Sequence, residues 1–246
     1  MPRTLRTTRT RNRRALDSGA PSALVRKTKT SKTPKAARSG KPAPYHHGAL
    51  RDALLQAAAR VLERDGLAGL TLRAVAREAG VSHAAPTHHF GDLTGLVSEL
   101  AAIGFRQFNA AQAAARAAET MPLMKAMAGA KAYVRYALEH PGIYGLMFRT
   151  ERLDMTRPSL KQAADASFAA LASAIGAYRQ EQISAETLSL EQAAAIARAW
   201  SLVHGFTTLL LDGRLNGMLN CLPKGADADA LLTAMLMSTV GKPPGP

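Results

Sequence analysis

The chain reads as all-α, with about nine helices. Three observations predict this. From residue 45 onward, apolar residues recur at helical spacing in almost every segment. No stretch of strand length alternates apolar with polar residues. Capping residues, Gly and Pro fall where the apolar stripes begin and end. The chain has 246 residues, 47% of them hydrophobic and only 5% aromatic, so its core is built mainly from Ala, Leu, Val and Met. That length suits one large domain or two small ones.

The elements follow in order. Leu50, Ala53, Leu54, Ala57, Ala58, Val61 and Leu62 form one stripe, and Gly66 offers a stop. Leu72, Val75, Ala76 and Ala79 form a short second helix, with Thr71 as N-cap and Gly80 at its end. Ser82 caps a third helix near 83–90, and Asp92 caps a fourth. Met127, Ala130, Val134, Ala137 and Leu138 mark a fifth, stopped by His140-Pro141-Gly142. A short turn over about 143–150 comes next. Leu160, Ala164, Phe168, Leu171, Ile175 and Tyr178 step through a long helix. Ser189 with Gln192 makes a capping box for another, reaching about Leu211. Asp212-Gly213 and Asn216-Gly217 read as turns. Asp227 and Asp229 suit the positive end of a final helix over about 227–239.

Charge divides the chain unevenly. Of a formal net charge of +14, residues 1–44 carry +12, with Asp17 their one acid. Those residues hold few large apolar side chains and read as a disordered basic tail. Three uses are open for it: nonspecific phosphate binding, a targeting peptide, or an inert solvated extension. No run of 18 apolar residues suggests a membrane span. One cysteine, Cys221, excludes a disulfide framework and a Cys-rich zinc module, and fits a plain thiol in a reducing cytoplasm.

Residues 71–90, TLRAVAREAGVSHAAPTHHF, are the most informative. A helix of about eight residues, a Gly-x-Ser turn and a second capped helix form the helix-turn-helix pattern, whose second helix can enter the DNA major groove. Small Ala76 and Gly80 let the two helices approach. The pattern alone also fits an αα-hairpin with no nucleic-acid role.

Here the sequence resembles the tetracycline-repressor (TetR/AcrR) family. The resemblance runs through Leu50-x3-Leu54-x2-Ala57-Ala58, Gly66, Leu70-Thr71, Val75-Ala76, Ala79-Gly80-Val81-Ser82, His89-Phe90 and Leu96. Further on, Trp200, His204 and Gly205, with His140-Pro141, Tyr144 and Met147-Phe148, resemble the subgroup with a Trp-x-x-x-His-Gly (WHG) C-terminal domain. The resemblance implies a DNA-binding domain over 45–92 and a ligand-binding and dimerisation domain over 93–246. It implies a homodimeric, cytoplasmic repressor that binds a palindromic operator and is released by a small molecule, with no cofactor. Thr71, Ser82 and His89 would face phosphates; His83, Ala84 and Ala85 would face base edges; Arg73, Thr87 and His88 complete the DNA-binding surface. Thr87 stands where the family usually has an aromatic residue, Leu93 where it usually has Lys, and Pro86 falls inside the reading helix. Residues 45–95 hold five basic and five acidic residues.

His46, His47, His83, His88 and His89 lack the spacing of a helical metal site, so they are read as phosphate-facing or simply packed. Met124, Met127, Tyr133, Tyr136, Phe148 and Phe168 are candidates to line a cavity for a lipophilic ligand, or belong to the core. Trp200 and His204, one turn apart, either pack, in the core or at a dimer interface, or line that cavity. Gly205 in mid-helix calls for a helix packed closely against it. An enzyme is not expected: there is no HExxH, Gly-rich phosphate loop, Gly-x-Ser-x-Gly elbow or sound Ser/His/acid grouping. A DNA-compacting protein acting through the tail alone remains a rival.

The tail is expected to supply the attraction that a neutral reading domain lacks. With about four to six phosphate contacts, it steepens the salt dependence of log K by roughly that number. Operator binding measured against salt for the full chain and for residues 45–246 checks this; equal slopes refute it.

Overall fold

The computed structural model describes residues 47–239. Among them are ten α-helices and a short 3-10 turn: α1 (His47–Gly69), α2 (Leu72–Ala79), α3 (Ala84–Phe90), α4 (Leu93–Ala117), α5 (Pro122–Glu139), α6 (Pro141–Met147), the 3-10 turn (Thr150–Arg152), α7 (Pro158–Arg179), α8 (Leu190–Leu211), α9 (Asn216–Leu219) and α10 (Ala228–Thr239). The described residues contain no strand, as the periodicity predicts. The basic tail lies outside them, as does His46.

The caps explain the boundaries. Thr71 Oγ1 accepts from the Ala74 N–H at 3.1 Å and starts α2. Gly80 ends it in the left-handed region, at φ 68°, which a side chain would resist. Asp92 Oδ1 accepts from the Gly95 N–H at 2.7 Å and starts α4. Ser189 and Gln192 form the reciprocal capping box at α8. Asp227 Oδ1 accepts from the Ala230 N–H at α10. Gly66 breaks α1 with φ 68° and ψ −177°, where the sequence placed a stop.

Pro86 leaves α3 intact for a specific reason. It has no N–H to give the Ser82 carbonyl, so the Ala85 N–H takes that acceptor at 3.0 Å and tightens the first turn. Ser82 Oγ accepts from the Ala84 N–H at 3.3 Å. The expected cap is present, although His83, already helical at φ −59° and ψ −22°, stands directly before the first residue of α3.

Two expectations are corrected. Asn216-Gly217 is not a turn but part of α9, the helix beyond the nine expected. Buried Leu215 and half-buried Leu219 hold it to the core, and packing overrides the poor propensities of Asn and Gly. Gly205 has no helix against it: a Cβ there meets nothing within 4 Å.

α4 is the spine. It packs along α5 and α7 and touches α1, α3 and α6. Its Leu96, Leu100 and Ala101 join Leu54, Ala57, Ala58 and Val61 of α1 in one continuous buried core with Val75 and Phe90. Burying such Leu and Val side chains stabilises by roughly 1.5–3 kcal/mol each before ordering costs. By length and composition alone α8 is apolar enough to cross a membrane. In the fold its Ile196, Val203 and Phe206 are buried, and it packs on α5 and α7. Its Ala197, Trp200 and Thr208 are exposed.

α4 and α6 approach at Gly104, where a Cβ would stand 2.5 Å from Ile143 Cγ2 and 2.9 Å from Met147 Sδ. Gly104→Ala is expected to destabilise the fold by about 1–3 kcal/mol through overpacking. Urea denaturation measures it, and an unchanged midpoint would contradict the close approach.

Candidate DNA-reading face, cavity and junction

Three features bear on function: an exposed helix, a cavity and the contact between the elements that form them. On α3, Ala84, Thr87 and His88 are exposed, as are Ser82 and His83 before it. Pro86 and Phe90 are buried. Ala85 packs partly against the core, so it shares less of the outer face than the sequence placed on it. His89 is half-buried, with its ring 6.2 Å from that of Phe90. Thr71 and Arg73 are exposed at the start of α2.

Several of the opposite charges that balance in this region are held in pairs. Arg60 Nε and Arg64 Nη1 each donate to Glu78 at 2.9 Å, and Arg64 also pairs with Asp65. The guanidinium groups hold the Glu78 carboxyl below its ordinary range, and Arg64 does the same to Asp65. Arg51 pairs with Glu99 at 2.7 Å, its guanidinium 5.5 Å from the centre of the Phe90 ring. Among the described residues, Arg73 and Arg77 of α2 make no ion pair, and both are exposed. They are one turn apart, and the sequence reading overlooked Arg77. No three His, Cys, Asp or Glu side chains converge as metal ligands among the described residues.

A cavity of about 410 Å³ opens among α4, α5, α7 and α8. Met127, Tyr133, Phe148, Phe168 and Trp200 line it, as the sequence suggested. Met124, Tyr136 and His204 do not. Met124 faces outward and is 42% exposed. Tyr136 is buried, and its hydroxyl donates to the Gly104 carbonyl at 3.1 Å; burial pushes its pKa up to about 12. His204 lies behind the wall: its ring is 4.6 Å from Phe148, and its Nδ1 meets the hydroxyls of Tyr133 at 2.8 Å and Tyr144 at 2.9 Å. The hydroxyls are 3.2 Å apart. A neutral imidazole offers one lone pair, so one tyrosine donates to Nδ1 while the other engages its neighbour. Burial lowers the His204 pKa and raises both tyrosines, favouring this uncharged arrangement. Thus Trp200 lines the cavity, and His204 packs against Phe148, Tyr133 and Tyr144 outside it.

The junction was not foreseen. Met155 and Thr150 line the cavity. Two residues beyond Met155, the Arg157 Nη2 donates to the Phe90 carbonyl at the end of α3, at 3.3 Å. Arg157 also faces Glu99 at 3.8 Å and Asp154 at 3.6 Å. Ser98 Oγ donates to the Thr94 carbonyl and accepts from the Asp154 N–H. A second tie runs from α1, where the Glu63 carboxylate accepts from the Gly142 and Ile143 N–H groups at the start of α6. Nothing in the local sequence around Glu63 or Arg157 identifies partners 67 and 79 positions away.

An exposed capped helix on a trihelical head, joined to a helical body with an apolar cavity, defines a helix-turn-helix regulator with a ligand-binding body. A profile of bacterial regulatory proteins of the tetR family matches residues 54–100, and a tetracyclin repressor-like C-terminal domain matches residues 126–238. The chain belongs to the tetR family of transcription regulators, DNA-binding proteins rather than enzymes. It is 34% identical to a protein of unknown function from Rhodococcus sp. RHA1, with TM-score 0.64 over 79% of this chain and 95% of that one. A TetR family transcription regulator from Marinobacter aquaeolei VT8 shares the fold at 17% identity and TM-score 0.53, covering 78% and 95% of the two chains. Another from Shewanella sp. PV-4 does so at 17% identity and TM-score 0.53, over 77% and 96%. No curated protein matches the chain in sequence.

His204 has a consequence for stability. Its pKa is lowered from 6.5 by burial, so below 6.5 the unfolded chain binds a proton that the folded chain resists. The His204 contribution is complete above pH 6.5 and is lost as pH falls through the folded-state value. Replacing His204 with Gln is expected to flatten this part of the stability profile. Denaturation midpoints between pH 5 and 8 measure it, and parallel profiles would contradict the assignment.

Proposed function

We propose that this chain is a ligand-released repressor that binds a palindromic operator as a homodimer in the cytoplasm. Residues 45–92 read DNA, and 93–246 bind effector and form the dimer. His83, Ala84, Thr87 and His88 supply the face that enters the major groove, and Ser82 at its start offers its hydroxyl to a phosphate. Thr71, Arg73 and His89 approach phosphates, joined by Arg77. A small lipophilic effector occupies the cavity. The observation that carries this reading is continuity: the Met155 loop that borders the cavity also holds, through Arg157, the last carbonyl of the reading helix.

The mechanism is linkage. An effector that fits better when the Met155 loop has moved draws Arg157 away from Phe90 and tilts α3. Weakening operator binding 100-fold takes about 2.7 kcal/mol of differential affinity between the two conformers. The exposed apolar residues of α8 and the open space at Gly205 support a second copy packing there.

Footprinting on DNA flanking the gene tests the reading. A protected palindrome with half-sites about 34 Å apart is expected; uniform coverage would favour a compacting protein. Ala84→Glu with Thr87→Glu is expected to cost the operator about 1–3 kcal/mol per lost base contact. Retained sequence preference in that variant, read by an electrophoretic shift, would remove α3 from the interface.

A further inference from the structure

The cavity reading leaves the chemistry of its occupant open, and the charges around it narrow that choice. The wall is almost wholly apolar, with Phe105, Phe108, Met127, Phe168 and Leu171 among its residues. Three of its residues are cationic: Arg116, Arg179 and Arg198. None is Asp or Glu. Arg179 is engaged by Glu181, and Arg198 stands exposed at the rim. Arg116 differs from both. It is half-buried, and burial lowers its pKa from the ordinary guanidinium value. A guanidinium stays charged regardless. Its one hydrogen bond among the described residues is a long contact of 3.4 Å to Gln112 Oε1. It lies against α5 where Gly129 has no side chain; a Cβ there would be 3.0 Å from Arg116 Nη1. Placement in the last turn of α4 supplies some compensation from the helix dipole. It does not supply the planar two-oxygen partner that a guanidinium fork matches.

Resting on the reading of this cavity as an effector site, we propose that the occupant is a lipophilic monoanion of the carboxylate class. Its carboxylate pairs with Arg116, and its hydrocarbon or aromatic body lies against Phe105, Met127 and Phe168. A cationic lipophile meets three arginines and no carboxylate. A neutral one leaves Arg116 half-buried without an ionic partner. A cavity of about 410 Å³ falls in the ordinary range for sites that enclose small ligands.

The test uses the full chain and three probes of equal chain length: octanoate, 1-octanol and octylammonium. Their binding is followed by titration calorimetry. Octanoate is expected to bind at least about tenfold more tightly than octanol, as a desolvated charged pair allows, and octylammonium more weakly than either. Arg116→Gln removes the preference for octanoate while leaving octanol within about threefold. Arg116→Lys, which keeps charge but loses the fork, retains part of the preference. Thermal melting of each variant without probe establishes that it folds; if Arg116→Gln does not, the Lys variant carries the comparison. Equal binding of octanoate and octanol overturns the anion assignment and leaves a lipophilic cavity standing, as does a preference for octanoate unchanged in the variants. Failure of all three probes to bind overturns the cavity as an effector site together with the anion assignment.

Discussion

The point on which the architecture turns is the meeting of the Phe90 carbonyl, Gly95 and the Arg157 guanidinium. A Cβ at Gly95 would lie 2.0 Å from the Phe90 oxygen and 2.5 Å from Arg157 Nη2, so only glycine lets α3, α4 and the segment before α7 share that space. Arg157 brings its charge into this contact at a cost. Its Nε is buried and makes no hydrogen bond among the described residues, although the Asp154 carboxylate faces it at 3.6 Å; a buried donor left without a hydrogen bond costs on the order of 1–3 kcal/mol. Glu99 offsets part of it. Its carboxylate accepts from Ser159 at 2.9 Å, pairs with Arg51 of α1 at 2.7 Å and faces Arg157. Loosening one ion therefore weakens the hold of the others, and the head and body are coupled through a shared charge rather than through apolar contact alone.

This arrangement clarifies why α4 is long and why its two ends have different character. The first half carries Leu96 and Leu100 into the core it shares with α1, while Phe105 and Phe108 further along face the cavity. A rigid helix that borders both sites moves as a unit, and packed interfaces favour discrete positions over continuous bending. The Glu63 tie to the start of α6 adds a second point of attachment between α1 and the helices beyond α4.

The cavity shows a comparable division of labour. Tyr133 lines the cavity while its hydroxyl meets Tyr144 and His204, which do not, so these polar atoms satisfy each other and bring no charge to that part of the wall. The cations sit at the other surfaces of the same space. An apolar chamber with a fixed neutral back and a guanidinium at one side is asymmetric, and asymmetry of this kind orients a ligand as well as selecting it.

Local chemistry was legible in the sequence wherever cause and effect lie within a few residues. Thr71, Asp92 and the Ser189–Gln192 pair cap as their types dictate, because a side-chain oxygen reaches a backbone N–H three positions away, and Gly80 ends α2 because it alone takes the left-handed backbone freely. Helical periodicity marked the body as all-α, because each stripe needs a partner to bury it. The helix-turn-helix segment was legible for the same reason, being a contiguous motif. Asn216-Gly217 was misread because propensity is a weak preference that the packing of Leu215 and Leu219 overrides. The separation of Trp200 from His204 could not be read from their spacing, since one helical turn fixes which face two residues share but not what that face meets. Arg157, Glu99, Glu63 and Arg116 owe their roles to partners or cavities assembled from distant segments. Sequence determined the helices and their ends through short-range hydrogen bonding and hydrophobic period; only the tertiary structure decided which charges are paired, because that depends on distances the chain sets by folding.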